Sequence, residues 1–472
     1  MTERGETSFT RLAFAGSLGA FVLIGAIDAA YGPLLRPISH RFAMSLASAG
    51  TVISINFAGA LIGVLGALAA FRRAPTRPIA AFAQAAVAAG SLTIAFSRNW
   101  SLLALGVFIT GIGFGATDFS LNQLMARTRA RGRAARLTVL NAAFGAGAVL
   151  GPVCTGVLGG RTLELGFGIV SVLACAMAVS LIGISTTPPA ADPHPERPDP
   201  GQVRARRHPG VAVAALGYLL YVACEAGTAG WIPAHLESFH YSPQFATGVT
   251  SGFWGAMAVG RILAVPASRT VAAHRMVLAV CPLLALTLAL AAVPAIAPVC
   301  YVAAGLAAAP IFPIGLDWLA AVFPRDGPAT SWALVGSFAG GIVGPAAVAA
   351  VVWLIGLHAV PAVLSSLAAA ATLAFVGLRS KVHPVRNADR AITRLAARRR
   401  PGGDANDLTE QRRGVGRPVV PGPRGVLVRP DQDEAASIGR SLLRKGIDDH
   451  VQRHPEGRRC RLERRHWPPI LG

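Results

Sequence analysis

Hydropathy along the chain alternates on a long period. Apolar runs, each close to the ~20 residues a helix needs to span hydrocarbon, can be drawn at 12–35, 47–71, 78–97, 101–126, 137–160 and 163–185. A second set lies at 211–234, 244–265, 276–297, 298–323, 329–356 and 357–378, with few polar residues marking the junctions at 297/298 and 356/357. Between the two sets, residues 186–210 read TTPPAADPHPERPDPGQVRARRHPG, proline-rich and charged, as an extended linker would be. After 378 the apolar runs stop, and 379–472 is rich in Arg, Gly and Pro. The pattern predicts an all-α membrane protein of twelve transmembrane helices in two six-helix halves. Its parts are an N-terminal half 1–185, a cytoplasmic linker 186–210, a C-terminal half 211–378 and a basic disordered cytoplasmic tail 379–472. The polar start MTERGETSFTR leads into an apolar run too long for a signal-peptide core, so it is read as the first crossing.

Composition agrees. Apolar residues make up 53%, charged residues 14%, and mean hydropathy is +0.51, whereas soluble domains carry about 25% charged residues. That excludes an ordinary soluble enzyme. The net charge of +21 is divided between the first 378 residues, with 22 Arg against 12 Asp/Glu, and the tail, with 22 Arg/Lys against 11. The first part is too apolar to be a nucleic-acid domain, and no nucleic-acid partner is expected. The tail could contact anionic lipid or a partner, but its arginines show no common face, and a dispensable extension is the favoured reading. With the N-terminus inside, 18 arginines fall at inner positions, Arg261, Arg269 and Arg275 among them, and 4 at outer ones: Arg36, Arg41, Arg98 and Arg161. Cytoplasmic loops carry such an excess, so a multi-pass plasma (inner) membrane protein with both termini cytoplasmic is expected. The six cysteines form no CxxC, and the five in apolar runs read as small core residues.

The halves repeat at an offset near 195 residues. Gly147-Ala-Val-Leu-Gly151-Pro152 in the fifth run matches Gly340-Gly-Ile-Val-Gly344-Pro345 in the eleventh. Asp28 matches Glu225, Asp118 matches Asp317, and Gly59-Ala60 matches Gly255-Ala256. Parallel six-helix repeats around a central pathway are a transporter architecture. The four acids lie well inside apolar runs, where an ionisable group is tolerated at about 2.5–3.5 kcal/mol only if it faces the protein interior or a wet cavity. Burial penalises the charged form and favours proton uptake. Asp28, Asp118, Glu225 and Asp317, with Asn122 one turn beyond Asp118, are the candidates for proton coupling and the solute pathway; a carboxyl bonded to a neighbouring helix is the bland alternative. Polar stripes support inward faces: Ser17, Ile24, Asp28 and Tyr31 on the first helix, Tyr218, Tyr221, Glu225 and Thr228 on the seventh, Gly111, Gly115, Asp118 and Asn122 on the fourth. Tyr31, Asn141, Tyr221, Trp231 and Trp254 are candidate solute contacts, with membrane-interface anchoring or core packing as the alternative for the tryptophans. The paired GxxxGP segments, Gly147, Gly151 and Pro152 with Gly340, Gly344 and Pro345, are candidates for close helix packing and gating.

These residues carry a resemblance. GAIDAAYGPLL, GIGFGATDFSLNQ, NAAFGAGAVLGP, YVACEAGTAGWI, GFWGAMAVGR and APIFPIG together resemble the major facilitator superfamily over residues 12–378, and within it the fucose-permease-like branch. The resemblance implies proton-coupled movement of a small solute by alternating access. One position departs from it: the superfamily's loop motif between helices 2 and 3 has an acidic residue where this chain has Ala70, before Phe71-Arg72-Arg73. The usual charge relay of that loop is therefore in doubt.

The expectation is a secondary transporter that takes up a sugar-like solute with protons, needs no cofactor or metal, and works as a monomer in the bilayer. Proton-driven efflux of amphipathic compounds is the alternative within transport. A membrane-embedded enzyme or a receptor is the alternative of another class, though no metal set, phosphate loop or large catalytic loop accompanies the acids. Gly111-x-Gly113-x-x-Ala116 mimics a dinucleotide fingerprint, but no strand precedes it.

Overall fold

A computed structural model describes residues 8–71, 76–126, 133–182, 184–185, 209–323 and 327–398. The linker from 186 to 208, the tail beyond 398 and the arginine loop after Phe71 lie outside the described residues. In chain order the helices are α1 Arg11–Arg41, α2 Leu46–Phe71, α3 Thr76–Ala95, α4 Trp100–Ala126, α5 Arg133–Leu158 and α6 Phe167–Leu181. The second half holds α7 Pro209–Ser238, α8 Pro243–Ala267, α9 Ala273–Leu290, α10 Ala297–Ala308, α11 Ile311–Val322, α12 Gly327–Ile355 and α13 Val360–Arg398. A two-residue antiparallel ladder, β1 Ser8–Phe9 with β2 Ile184–Ser185, ties the start of the first half to its end.

By length and composition the described residues hold 11 helical stretches able to cross a membrane. One of them, Arg136–Leu181, is 46 residues long; straight, it would run about 69 Å, over twice the ~30 Å of hydrocarbon. It is not straight. Gly159 has φ +53°, and a 3-10 turn and a π turn follow it. The Thr162 hydroxyl reaches the carbonyl of Thr155 at 3.3 Å, seven residues back, and that of Gly159 at 2.7 Å. The stretch is thus two crossings joined by a reversal, and α10 with α11 makes one crossing, giving the twelve expected. Two boundaries differ from the sequence reading. α13 runs past the expected end at 378 to Arg398. The tenth crossing, expected to be continuous, is interrupted between Ala308 and Ile311 because Pro310 and Pro313 lack the N–H that would hold the carbonyls of Leu306 and Ala309.

Glycine decides how closely the helices pack. A Cβ on Gly147 or Gly151 would strike the backbone of α1 at Val22 and Ala26; one on Gly340 or Gly344 would strike α7 at Leu219 and Ala223. The struck residues are themselves 197 apart, so the α1–α5 and α7–α12 contacts are the same joint made twice. Gly111 on Asn56 in the first half has its counterpart in Gly305 on Phe253 in the second. Gly113, part of the false fingerprint, lies against Ala83 and Val87 and serves packing. The outer surface is apolar: Phe82, Phe96, Val157, Ile262, Val299, Trp353 and Leu373 are strongly exposed, as helices facing lipid require. Of the cysteines read as core residues, Cys224, Cys281 and Cys300 are buried, but Cys154 and Cys175 sit on this outer face.

Candidate functional site

The site forms where the two halves meet at mid-depth. Asp28 lies 17 residues into the 31-residue α1 and Glu225 16 residues into the 30-residue α7, each about 25 Å from its helix start. Both carboxyl groups are partly buried, and each lies within electrostatic reach of the other across the halves. Tyr221 stands one turn before Glu225; its hydroxyl borders that carboxylate and donates to the carbonyl of Ala308 at 3.1 Å. Tyr218 donates to the carbonyl of Phe312 at 3.4 Å. The two tyrosines therefore bracket the α10–α11 interruption by bonding a carbonyl on each side of it, though not the Leu306 and Ala309 carbonyls that the prolines leave free, and so tie the broken crossing to α7. Interrupted helices at membrane depth are tolerated where protein or a wet cavity meets the freed backbone groups.

Arg261 completes the group. The arginine count places it at an inner connection; the structure places it within α8, six residues before the helix ends. Its charge acts on both Glu225 and Tyr221. One guanidinium nitrogen lies 3.3 Å from the Met257 sulfur, while Nε is buried with no partner among the described residues. The signal was present in the sequence: Arg261 falls inside the apolar run 244–265.

The other candidates separate. Asp118 and Asn122 are together on α4: the Asn122 amide donates to the Asp118 carboxylate and to its carbonyl, both at 3.0 Å. Asp317, on α11, is exposed and stands near Tyr218. Tyr31 is buried, and its hydroxyl lies 3.5 Å from the Asn56 side-chain oxygen, within the first half. Asn56 itself, missed in the sequence, is fully buried with its amide nitrogen unpartnered among the described residues. Asn141 is exposed on α5 and donates back to the Leu137 carbonyl at 2.8 Å. Trp231 and Trp254 are core residues, not interface anchors: Trp231 is fully buried against Gly50 of α2, and Trp254 packs edge-on to Phe253 at 5.4 Å. Neither indole N–H has a partner among the described residues. His235, a further buried group, pairs with Tyr301 at 2.8 Å.

The Major Facilitator Superfamily model matches residues 17–301. A comparison with curated protein sequences yields no match. Among solved structures, the chain is similar to the nucleoside transporter NupG, with TM-score 0.63 and 14% identity over 78% of this chain and 100% of that one. It is similar to a D-xylose–proton symporter, with TM-score 0.61 and 15% identity over 78% and 97% of the two chains. A bacterial homolog of the human lysosomal transporter Spinster, in an inward-facing, unoccupied conformation, gives TM-score 0.58 and 15% identity over 79% and 95%. At these identities the likeness is one of fold.

Proposed function

The chain belongs to the major facilitator superfamily, and from that premise we propose that it couples uptake of a small, sugar-like polar solute to inward proton movement by alternating access. Membership makes it a multi-pass membrane transporter and sets aside the membrane-enzyme alternative. The observation that carries the finer reading is the pair Asp28 and Glu225. They occupy equivalent positions in the repeat and lie within electrostatic reach across the halves, with Arg261 near Glu225. A carboxyl that alternates between charged and neutral as the halves rock is the simplest coupling device. The pathway includes Tyr221 and the α10–α11 interruption, while Asp118 with Asn122 and the exposed Asp317 form a second layer nearer the chain termini. Trp231, Trp254 and Asn56 offer buried donors that a hydroxyl-rich solute could satisfy. The neutral, polar solutes named for two of the similar structures, a nucleoside and D-xylose, are of the class this site suits. The protein works in the inner membrane, with its termini on the cytoplasmic face.

The test is Asp28→Asn, which keeps size and fixes the neutral state. In sealed vesicles it abolishes uptake against a gradient driven by protons, while solute counterflow in the same preparation survives. Asp28→Glu retains part of the coupling with a changed pH optimum. Full accumulation by Asp28→Asn would remove Asp28 as the coupling group and move the role to Glu225 or Asp118.

A further inference from the structure

The last helix of the bundle outruns the membrane. α13 is 39 residues long, about 58 Å at 1.5 Å per residue, against ~30 Å of hydrocarbon. Its stretch apolar enough to cross ends at Lys381, so residues 382–398 carry the helix about 25 Å further. Up to that point α13 follows the bundle: Leu364, Ala368, Ala371, Phe375 and Leu378 recur at steps of 4, 3, 4 and 3 and are all buried. Gly217 of α7 meets Phe375, and Val213 meets Gly377, so the two helices run antiparallel. α7 begins only four residues before Val213, at Pro209. Among the described residues, that neighbour therefore ends about where the extension starts. A weak joint falls at the same place. Pro384 lacks the N–H that would engage the Ser380 carbonyl, and it disfavours helical backbone at His383 before it.

By register the extension is amphipathic. Val382, Val385, Ala388, Ile392 and Leu395 recur at steps of 3, 3, 4 and 3, the spacing of one helical stripe. Arg386, Arg390, Arg394 and Arg398 recur at steps of four and form a stripe centred on the opposite side. Asp389, the one acid, falls between the two. The arginines of the tail as a whole share no face, but these four do. Like charges four residues apart weaken an isolated helix, and anions beside the stripe offset that repulsion.

We propose that residues 382–398 are a surface-seeking helix that turns at Pro384 and lies along the leaflet through which α13 leaves, its apolar stripe toward the acyl chains and its arginines among anionic phospholipid headgroups. Three features commit the partner to lipid. The helix is continuous with a membrane span, so it is tethered at that surface. An apolar stripe opposite a basic one is the layout of a helix lying in the interface plane, whereas a nucleic-acid partner would leave the apolar stripe unused. Four arginines following Arg379 and Lys381 at a membrane exit complement the negative potential of an anionic leaflet.

The test reads membrane contact, and so stands whichever solute is carried and whether or not Asp28 couples protons. The full chain, with its native cysteines replaced, carries Ile392→Cys labelled with an environment-sensitive fluorophore. It is placed in nanodiscs of phosphatidylcholine alone or of equal parts phosphatidylcholine and phosphatidylglycerol. With phosphatidylglycerol the emission shifts to the blue and is quenched by spin-labelled acyl chains, and high salt reverses both effects. Without it the label reads as solvent-exposed. The same label at Asn387→Cys, on the basic side of the helix, is quenched less. Arg390→Gln and Arg394→Gln each lower the ratio of bound to free helix about fivefold, the scale for one basic residue at an anionic surface. Emission from position 392 that stays solvent-like with phosphatidylglycerol would overturn the proposal. So would an equal blue shift in both lipid mixtures, which would assign the stripe to the protein's own surface.

Discussion

Arg261 shows what a single residue contributes. As a letter it reads like the arginines that mark cytoplasmic loops; in place it is an intramembrane cation beside an intramembrane acid. The groups within electrostatic reach of it are Tyr221 and Glu225 of α7, and Asp28 of α1 lies within reach of Glu225 in turn. Removing the charge changes the balance between the two carboxyls without touching the first half. Arg261→Gln is therefore expected to shift the pH profile of proton-driven accumulation by a measurable fraction of a unit, with counterflow at one fixed pH reduced less than about threefold. Parallel profiles for wild type and variant would reduce Arg261 to a packing residue. Asp28 and Glu225 were legible in the sequence because acids are rare in apolar runs. Asn56, His235 and the partner of Arg261 were not, because a polar residue's neighbour on another helix is not written in its own segment.

At the scale of the element, the duplicated GxxxGP joint is the best example of sequence dictating structure. The motif spacing puts both glycines on one face, and that face meets a helix backbone in each half. Side chains there have no room. Gly151→Val and Gly344→Val are expected to lose 1–3 kcal/mol or more, roughly the range for overpacking, seen as a lowered thermal midpoint and poor yield of monodisperse protein. Gly66→Ala is the control. Nothing lies within 4 Å of a Cβ there, and alanine is favoured over glycine in a helix by about 1 kcal/mol. Its midpoint is expected to stay level or rise. Two element features went the other way. The fifth and sixth runs were separated correctly, yet the reversal is built on Gly159, a residue no hydropathy plot marks. The interruption at Ala309 and Pro310 was visible only as APIFPIG, because proline marks a weak point but does not say which neighbours, here Tyr218 and Tyr221, bond the carbonyls beside it.

The whole molecule adds orientation and the joining of the halves. The arginine excess, still 17 to 4 with Arg261 placed inside α8, leads us to expect the linker and termini on the cytoplasmic side. In a background without native cysteines, an impermeant thiol reagent on whole cells should label Ser242→Cys, at the start of α8, and spare Gln202→Cys. The reverse pattern would invert the topology. Nothing in the hydropathy indicated where the halves touch beyond the carboxylates: Arg36 meets Glu237, 201 positions away, and Gly32 meets Ala229.

By itself, then, the sequence determined the membrane class, the number of crossings, the duplication and the rare acids. Those are properties of composition and of period along one chain, and a bilayer's thickness and dielectric read them directly. Tertiary structure alone decided which acids lie near one another, that Arg261 belongs with them, that the tenth crossing is broken, and which residues join the halves. Each of those is a contact between helices far apart in sequence, and such a contact depends on depth, rotation and close approach, which no single helix specifies.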